Sequence, residues 1–120
     1  MKLFRSFLFA PGSNPKVMQK ALKAGADAVV FDLEDAVAVS QKETARVLVC
    51  EAVKQGNLSD GKYIRINSWD TSWSKDDLTV AISAGVNGIM LPKAEDSAEV
   101  RAVAELLPPG VDLVPMVETA

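Results

Sequence analysis

Ala24-Gly25-Ala26-Asp27-Ala28-Val29-Val30-Phe31 and, 60 positions later, Ala84-Gly85-Val86-Asn87-Gly88-Ile89-Met90-Leu91 follow one plan. Each begins with a small residue and a glycine, the pair that ends a helix in a left-handed turn, and continues after a short connection into a run of apolar residues. A helix therefore leads directly into a buried strand at both places. Two strand–helix units of roughly 30 residues fit between the copies, which is the module size of a (β/α)₈ barrel.

The same alternation extends outward from these anchors. Leu3 to Ala10 reads as a first strand, stopped by Pro11-Gly12, and Asn14-Pro15 supplies an N-cap with proline in the first helical turn of a helix reaching about Ala24. After the strand Ala28–Phe31, Ser40-Gln41-Lys42-Glu43 matches a capping box, with Ala45, Leu48, Val49, Ala52 and Val53 at helical spacing behind it. Tyr63–Asn67 is a third strand, and Ser74 opens a capped helix with Leu78, Ala81 and Ile82 on one face. Gly88–Leu91 is a fourth strand. Asp96 caps a helix carrying Val100, Val103, Ala104 and Leu107, Pro108-Pro109-Gly110 ends it, and Asp112–Val117 is a fifth strand.

Strict alternation predicts a parallel sheet with right-handed crossovers, either an open flavodoxin-like sheet or part of a barrel. Charge separates the two. Central strands of a doubly wound sheet are almost wholly apolar, whereas Arg5, Arg65 and Glu118 lie in or at the ends of three of these strands. Inward-pointing charge near strand ends fits a barrel whose active site is at its C-terminal rim. The expected fold is thus an α/β TIM barrel, of which residues 1–120 supply the first five strands and four helices as the N-terminal part of one domain. On this reading the chain is a fragment.

Composition limits the function. The 120 residues are 48% hydrophobic and 24% charged with net charge −3, a globular balance that offers no basic surface for nucleic acid. The single cysteine, Cys50, lies in the apolar run Val47–Cys50, reads as a packing residue, and fits a reducing cytoplasm. The N-terminal apolar stretch is interrupted by charge and broken at Pro11-Gly12, which matches neither a signal peptide nor a membrane span. With no histidine, neither a Ser-His-Asp triad nor a His-ligated zinc site can be built from these residues. The chemistry falls to carboxylates, Arg and Lys.

In Tyr63-Ile64-Arg65-Ile66-Asn67 the isoleucines share one face, suited to a helix layer, and Tyr63, Arg65 and Asn67 share the other. Arg65 then points into the barrel and needs a partner, either a substrate carboxylate or an internal acid. Asp32, Glu34 and Asp35 follow the second strand directly. Acids at such a loop either serve a hard cation or are solvated and cap the next helix. Glu118 at the end of the fifth strand is a metal ligand or a structural acceptor. Lys93 after the fourth holds an anion, pairs with an acid or is simply exposed. Trp69 and Trp73 shield a site or pack. Pro11–Asn14 lacks the glycine pattern of a phosphate loop.

Taken together, Arg5–Gly12, Gly25–Val37, Ile64–Asn67, Leu91–Glu95 and Val117–Thr119 resemble, in order, the N-terminal half of the HpcH/HpaI aldolase and citrate lyase beta-subunit family. The resemblance implies a usually homo-oligomeric TIM barrel of more than twice this length. Its members make or break a carbon–carbon bond beside an acyl thioester of CoA or a carrier protein, of citryl, malyl or citramalyl type. It implies that Arg65 binds the carboxylate or keto oxygen of a 2-oxo acid and that Glu118 ligates Mg²⁺ and contacts substrate. Asp32, Glu34, Asp35 and Lys93 would orient the metal's waters or Arg65. The family's second metal ligand, an aspartate, falls beyond the fifth strand and outside this sequence. The alternatives are a metal-dependent aldolase acting on free hydroxy-oxo acids and a non-catalytic half-barrel that binds a partner.

Overall fold

The computed structural model describes residues 6–55 and 61–116. Five strands, β1 (Phe7–Pro11), β2 (Ala28–Asp32), β3 (Lys62–Arg65), β4 (Gly88–Leu91) and β5 (Asp112–Pro115), alternate with four helices, α1 (Pro15–Lys23), α2 (Lys42–Gln55), α3 (Ser74–Ala84) and α4 (Ser97–Leu106). The strands are parallel throughout and lie in sequence order. That order excludes the doubly wound arrangement, in which the sheet grows in both directions from its first strand.

Both faces of the sheet are covered differently. Val29, Phe31, Ile64, Ile89 and Leu91 are buried against Met18 and Ala21 of α1, Ala45, Val49, Ala52 and Val53 of α2, Leu78 and Ala81 of α3, and Val103 of α4. The other face carries a separate cluster of strand residues, Ala28, Val30, Tyr63 and Met90, with Val114 and Met116 beside it and, among the described residues, no helix. Helices on one side and side chains filling the other are the two layers of a TIM barrel, here its first five strands. Within the inner layer the Phe7 and Tyr63 rings meet edge to face at 5.9 Å. The Tyr63 ring lies across Gly88, and its hydroxyl donates to Asp112 Oδ2 at 3.1 Å. Only a residue without Cβ fits beneath the ring.

Local signals explain most of the element ends. Asn14 Oδ1 accepts the Val17 N–H ahead of Pro15, and Asp96 Oδ1 accepts the Ala98 N–H. Gly25 and Gly85 both hold left-handed backbone, φ 85° and 86°, which accounts for the repeated glycine of the two anchoring stretches. Two expected caps are different. Ser40 lies inside a 3₁₀ turn, Val39–Gln41, and α2 starts only at Lys42. Ser74 is the first helical residue of α3 and its hydroxyl donates backward to the Trp69 and Thr71 carbonyls, while the preceding Trp73 offers no side-chain cap. Strand β3 is also shorter than the alternating pattern, ending at Arg65, so Asn67 leaves the face of Arg65. Cys50 is only partly buried. Among the described residues no helix is long and apolar enough to cross a membrane.

Phe7 and Phe9 remain 41% and 44% exposed, and β1 and β5 each pair on one side only. Unpaired parallel edges with apolar neighbours are templates for association. The 120-residue polypeptide on its own is therefore expected to self-associate, and sedimentation that finds a stable monomer with a cooperative melt would contradict this. Within the full-length protein, Gly88→Ala should cost about 1–3 kcal/mol by overpacking against the Tyr63 ring. Urea denaturation of Gly88→Ala, Tyr63→Leu and the double variant should show a double loss smaller than the sum of the single losses.

Candidate active site

Asp32 and Arg65 are the last residues of β2 and β3 and lie opposite each other in register. Alternation from Val30 and Tyr63 puts both on the inner face, at the C-terminal ends of their strands. The guanidinium meets the carboxylate as a fork, Arg65 Nε donating to Asp32 Oδ1 at 2.8 Å and Nη2 to Oδ2 at 2.6 Å. Each carboxylate oxygen takes a second bond from the turn that follows, Oδ1 from Glu34 N–H at 2.9 Å and Oδ2 from Ala36 N–H at 3.0 Å. The internal acid foreseen as one possible partner of Arg65 is thus Asp32. Asp32 thus takes the Nε–Nη2 edge of the fork. The Phe9 ring supports the guanidinium at 5.2 Å, a cation–π contact. Glu34 Oε1 stands 3.7 Å from Nε.

Arg65 and Asp32 border a hollow of about 460 Å³ with Phe9, Ala10, Pro11, Asp35 and Ala36. It is lined by the C-terminal end of β1 and the loop after β2, the rim at which barrel enzymes place their chemistry. Burial alone would raise the Asp32 pKa. The bonds from Arg65 and from the Glu34 and Ala36 N–H groups, with the charge of Arg65, outweigh it and hold the carboxyl below its ordinary value. The Asp32 bond raises the Arg65 pKa against the opposing effect of burial, with the charges of Asp32, Glu34 and Asp35 adding to the rise. Both groups are fixed in their charged forms.

The expected site residues are not all brought together. Asp32, Glu34 and Arg65 form one cluster, and exposed Asp35 lies on the wall of the same hollow. Lys93 is exposed after β4, with left-handed backbone at φ 53° that is unusual for a side chain with a Cβ. Glu118, like Arg5, lies outside the described residues. As a metal site the described donors fit poorly: both oxygens of Asp32 are already engaged by two donors each, and no group of three or more His, Cys, Asp or Glu is suitably placed among the described residues. Asp32 is an anchor for Arg65 rather than a ligand. Trp69 packs against the helix-side core, and Trp73 lies under the Lys42 ammonium at 5.2 Å.

Behind the hollow is a network that sequence reasoning missed. The Lys42 ammonium is buried and donates to three acceptors: the Leu33 and Glu34 carbonyls, each at 3.0 Å, and Asn67 Oδ1 at 2.7 Å. Asn67 donates through its backbone N–H and its Nδ2 to Asp77 Oδ2, at 3.0 and 2.7 Å, and Arg46 Nε donates to Asp77 Oδ1 at 3.0 Å. A signal for Lys42 existed: it sits three residues before Ala45 on the stripe that continues through Val49, Ala52 and Val53, so helical spacing already places it on the core-facing side of α2.

The fold and the rim cluster define the first five strands of a (β/α)₈ barrel with an arginine–aspartate pair bordering a hollow at its rim. Residues 5–109 match the HpcH/HpaI aldolase/citrate lyase family, and the chain belongs to that family. It is 41% identical to a (3S)-malyl-CoA thioesterase of Cereibacter sphaeroides, over 98% of this chain and 41% of that protein. It is 38% identical to the citrate lyase subunit beta of Leuconostoc mesenteroides subsp. cremoris, over 88% of this chain and 35% of that protein. A solved structure, the citrate lyase beta subunit of M. tuberculosis with oxaloacetate and magnesium, superimposes with a TM-score of 0.74 at 37% identity, over 95% of this chain and 47% of that one. The chain thus spans less than half the length of these relatives.

The lowered pKa of Asp32 sets a pH dependence. Its contribution to stability is complete above the ordinary aspartate pKa of about 3.9 and is lost as pH falls through the lower folded value. Asp32→Asn should therefore destabilise the full-length protein by about 1–3 kcal/mol at pH 7. The gap between wild type and variant should close in increasingly acid solution. Urea titrations from pH 7 downward measure it, and a gap that stays constant would show that the charge of Asp32 is not what matters.

Proposed function

We propose that the full-length protein is a carbon–carbon lyase acting on a CoA or acyl-carrier thioester of a hydroxy acid, of citryl, malyl or citramalyl type. It would release a 2-oxo acid and an acetyl thioester, and residues 1–120 would be the N-terminal part of its single barrel domain. The observation that carries this reading is Arg65. Its guanidinium is clamped on one edge by Asp32 and turned toward a rim hollow, a geometry suited to an oxo-acid carboxylate or a developing oxyanion. The likeness to a malyl-CoA thioesterase and to citrate lyase beta subunits supports the substrate class.

In a retro-Claisen cleavage the substrate hydroxyl gives up its proton to a base, the carbon–carbon bond breaks as that oxygen becomes a carbonyl, and the electron pair passes to the thioester α-carbon, whose enolate then takes up one proton to give the acetyl thioester. Arg65 can hold the oxo-acid end while this happens, and its bond to Asp32 means that no reorganisation is needed as charge shifts. Phe9 and Pro11 supply an apolar wall beside the guanidinium. Mg²⁺, ligated by Glu118 and by residues outside this sequence, would polarise the oxo-acid oxygens as a Lewis acid. Asp35, Glu34 and Lys93 remain rim groups that would orient its waters or Arg65. A cytoplasmic homo-oligomer is the assembly this reading carries with it.

The test uses the full-length protein with malyl-CoA and citryl thioesters. Glyoxylate with acetyl-CoA marks cleavage of malyl-CoA, whereas malate with free CoA marks hydrolysis and would replace the lyase reading. Arg65→Ala should lower turnover by roughly 10²–10³-fold while Mg²⁺ affinity stays near wild type. Glu118→Gln should weaken Mg²⁺ binding, read by calorimetry, and lower turnover with it. Wild-type turnover in both variants would show that the site is misplaced. Loss of activity together with the thermal transition in both would make the Arg65–Asp32 pair a structural bond.

A further inference from the structure

We propose that Lys42 is a positioning residue for Arg65, acting through the loop that follows β2. A buried ammonium is costly unless all three of its N–H donors are used, and here all three are: two by consecutive main-chain carbonyls, Leu33 and Glu34, and one by Asn67. Those carbonyls belong to the segment whose N–H groups, from Glu34 and Ala36, hold the two oxygens of Asp32. Lys42 therefore grips the outer side of the same loop that grips Asp32 on its inner side. Asp32 in turn fixes the Nε–Nη2 edge of Arg65 and decides which edge faces the hollow.

A second support fixes the lysine itself. Asn67 lies two residues beyond Arg65 on the same chain, so Lys42 also fixes the exit of β3. Asp77 holds Asn67 by two bonds, and Arg46, one turn beyond Lys42 on α2, holds Asp77. The Trp73 ring closes over the ammonium. The loops after β2 and β3 are thus tied to each other and to the first turns of α2 and α3, with Lys42 at the point where the ties meet. A surface lysine serving only solubility would have none of these contacts.

The experiment uses the full-length protein and its Lys42→Met and Lys42→Gln variants, the second retaining one donor group should the first fold poorly. The first readout is the ¹⁵N–¹H resonance of Arg65 Nε, assigned by its disappearance in Arg65→Lys, with solvent exchange measured well below the thermal transition. Wild type should show slow exchange, because Asp32 accepts that hydrogen. Lys42→Met should speed it by about tenfold or more, and Lys42→Gln by less. The second readout is calorimetric titration with oxaloacetate and Mg²⁺, expected to be about tenfold weaker in Lys42→Met. Lower thermal stability with unchanged Arg65 exchange in the folded variants would overturn the positioning role. The oxaloacetate titration alone depends on the proposed function: if wild type fails to bind it while Arg65 exchange responds as expected, that function fails and the role of Lys42 stands.

Discussion

The fork between Asp32 and Arg65 is the constraint around which the rim is organised. Two oppositely charged side chains at the ends of neighbouring strands, on the face that lacks helices, are tolerable there only because each satisfies the other. The carboxylate needs further donors, and the turn after β2 supplies them from the Glu34 and Ala36 N–H groups. A chain path, a protonation state and the direction of a guanidinium thus follow from one pair. The pair also engages both oxygens of the acid, which under the proposed function leaves the arginine to meet the oxo acid.

Below the rim, the barrel interior is settled by size. Gly88 gives up a side chain so that the Tyr63 ring can cross β4 and reach Asp112 on β5. Phe7 meets the same ring edge to face. Polar ends on large apolar bodies let this layer stay packed while its hydroxyl and carboxylate satisfy each other. Outside the sheet, Lys42, Asn67, Asp77 and Arg46 form a polar chain that replaces apolar packing at the upper ends of α2 and α3. The two arrangements divide the labour: hydrophobic burial holds helices to strands, and hydrogen-bonded charge holds the loops that carry the rim.

The alternative of a non-catalytic half-barrel would require nothing of Arg65 beyond its bond to Asp32. The proposed lyase reading gives a use to the hollow beside Arg65, to the Phe9 ring against its guanidinium and to the buried lysine behind its loop. Preorganisation of this kind is what electrostatic catalysis demands, because donors already in place lose nothing to rearrangement when charge develops.

The sequence by itself determined the elements, their order and the faces taken by Tyr63, Ile64, Arg65 and Ile66. Glycines at 25 and 85, prolines at 11 and 15 and the alternation Ile64-Arg65-Ile66 act through backbone conformation and period, which are local properties. Residues 28–31 likewise read as a strand followed directly by acids, and the resemblance of the motifs named the family. Tertiary structure alone decided which polar groups meet. Asp32 and Arg65 are 33 positions apart, Lys42 and Asn67 are 25 apart, and Arg46 and Asp77 are 31 apart. Spacing within one helix or strand carries no information about such pairs. The caps expected at Ser40 and Ser74 differed for a related reason: whether a hydroxyl caps a helix depends on the path by which the chain enters it, and the buried Lys42 and the backward bonds of Ser74 set those paths. Period places a side chain on a face, but a charge buried on that face takes its partner from whichever distant segment the fold delivers.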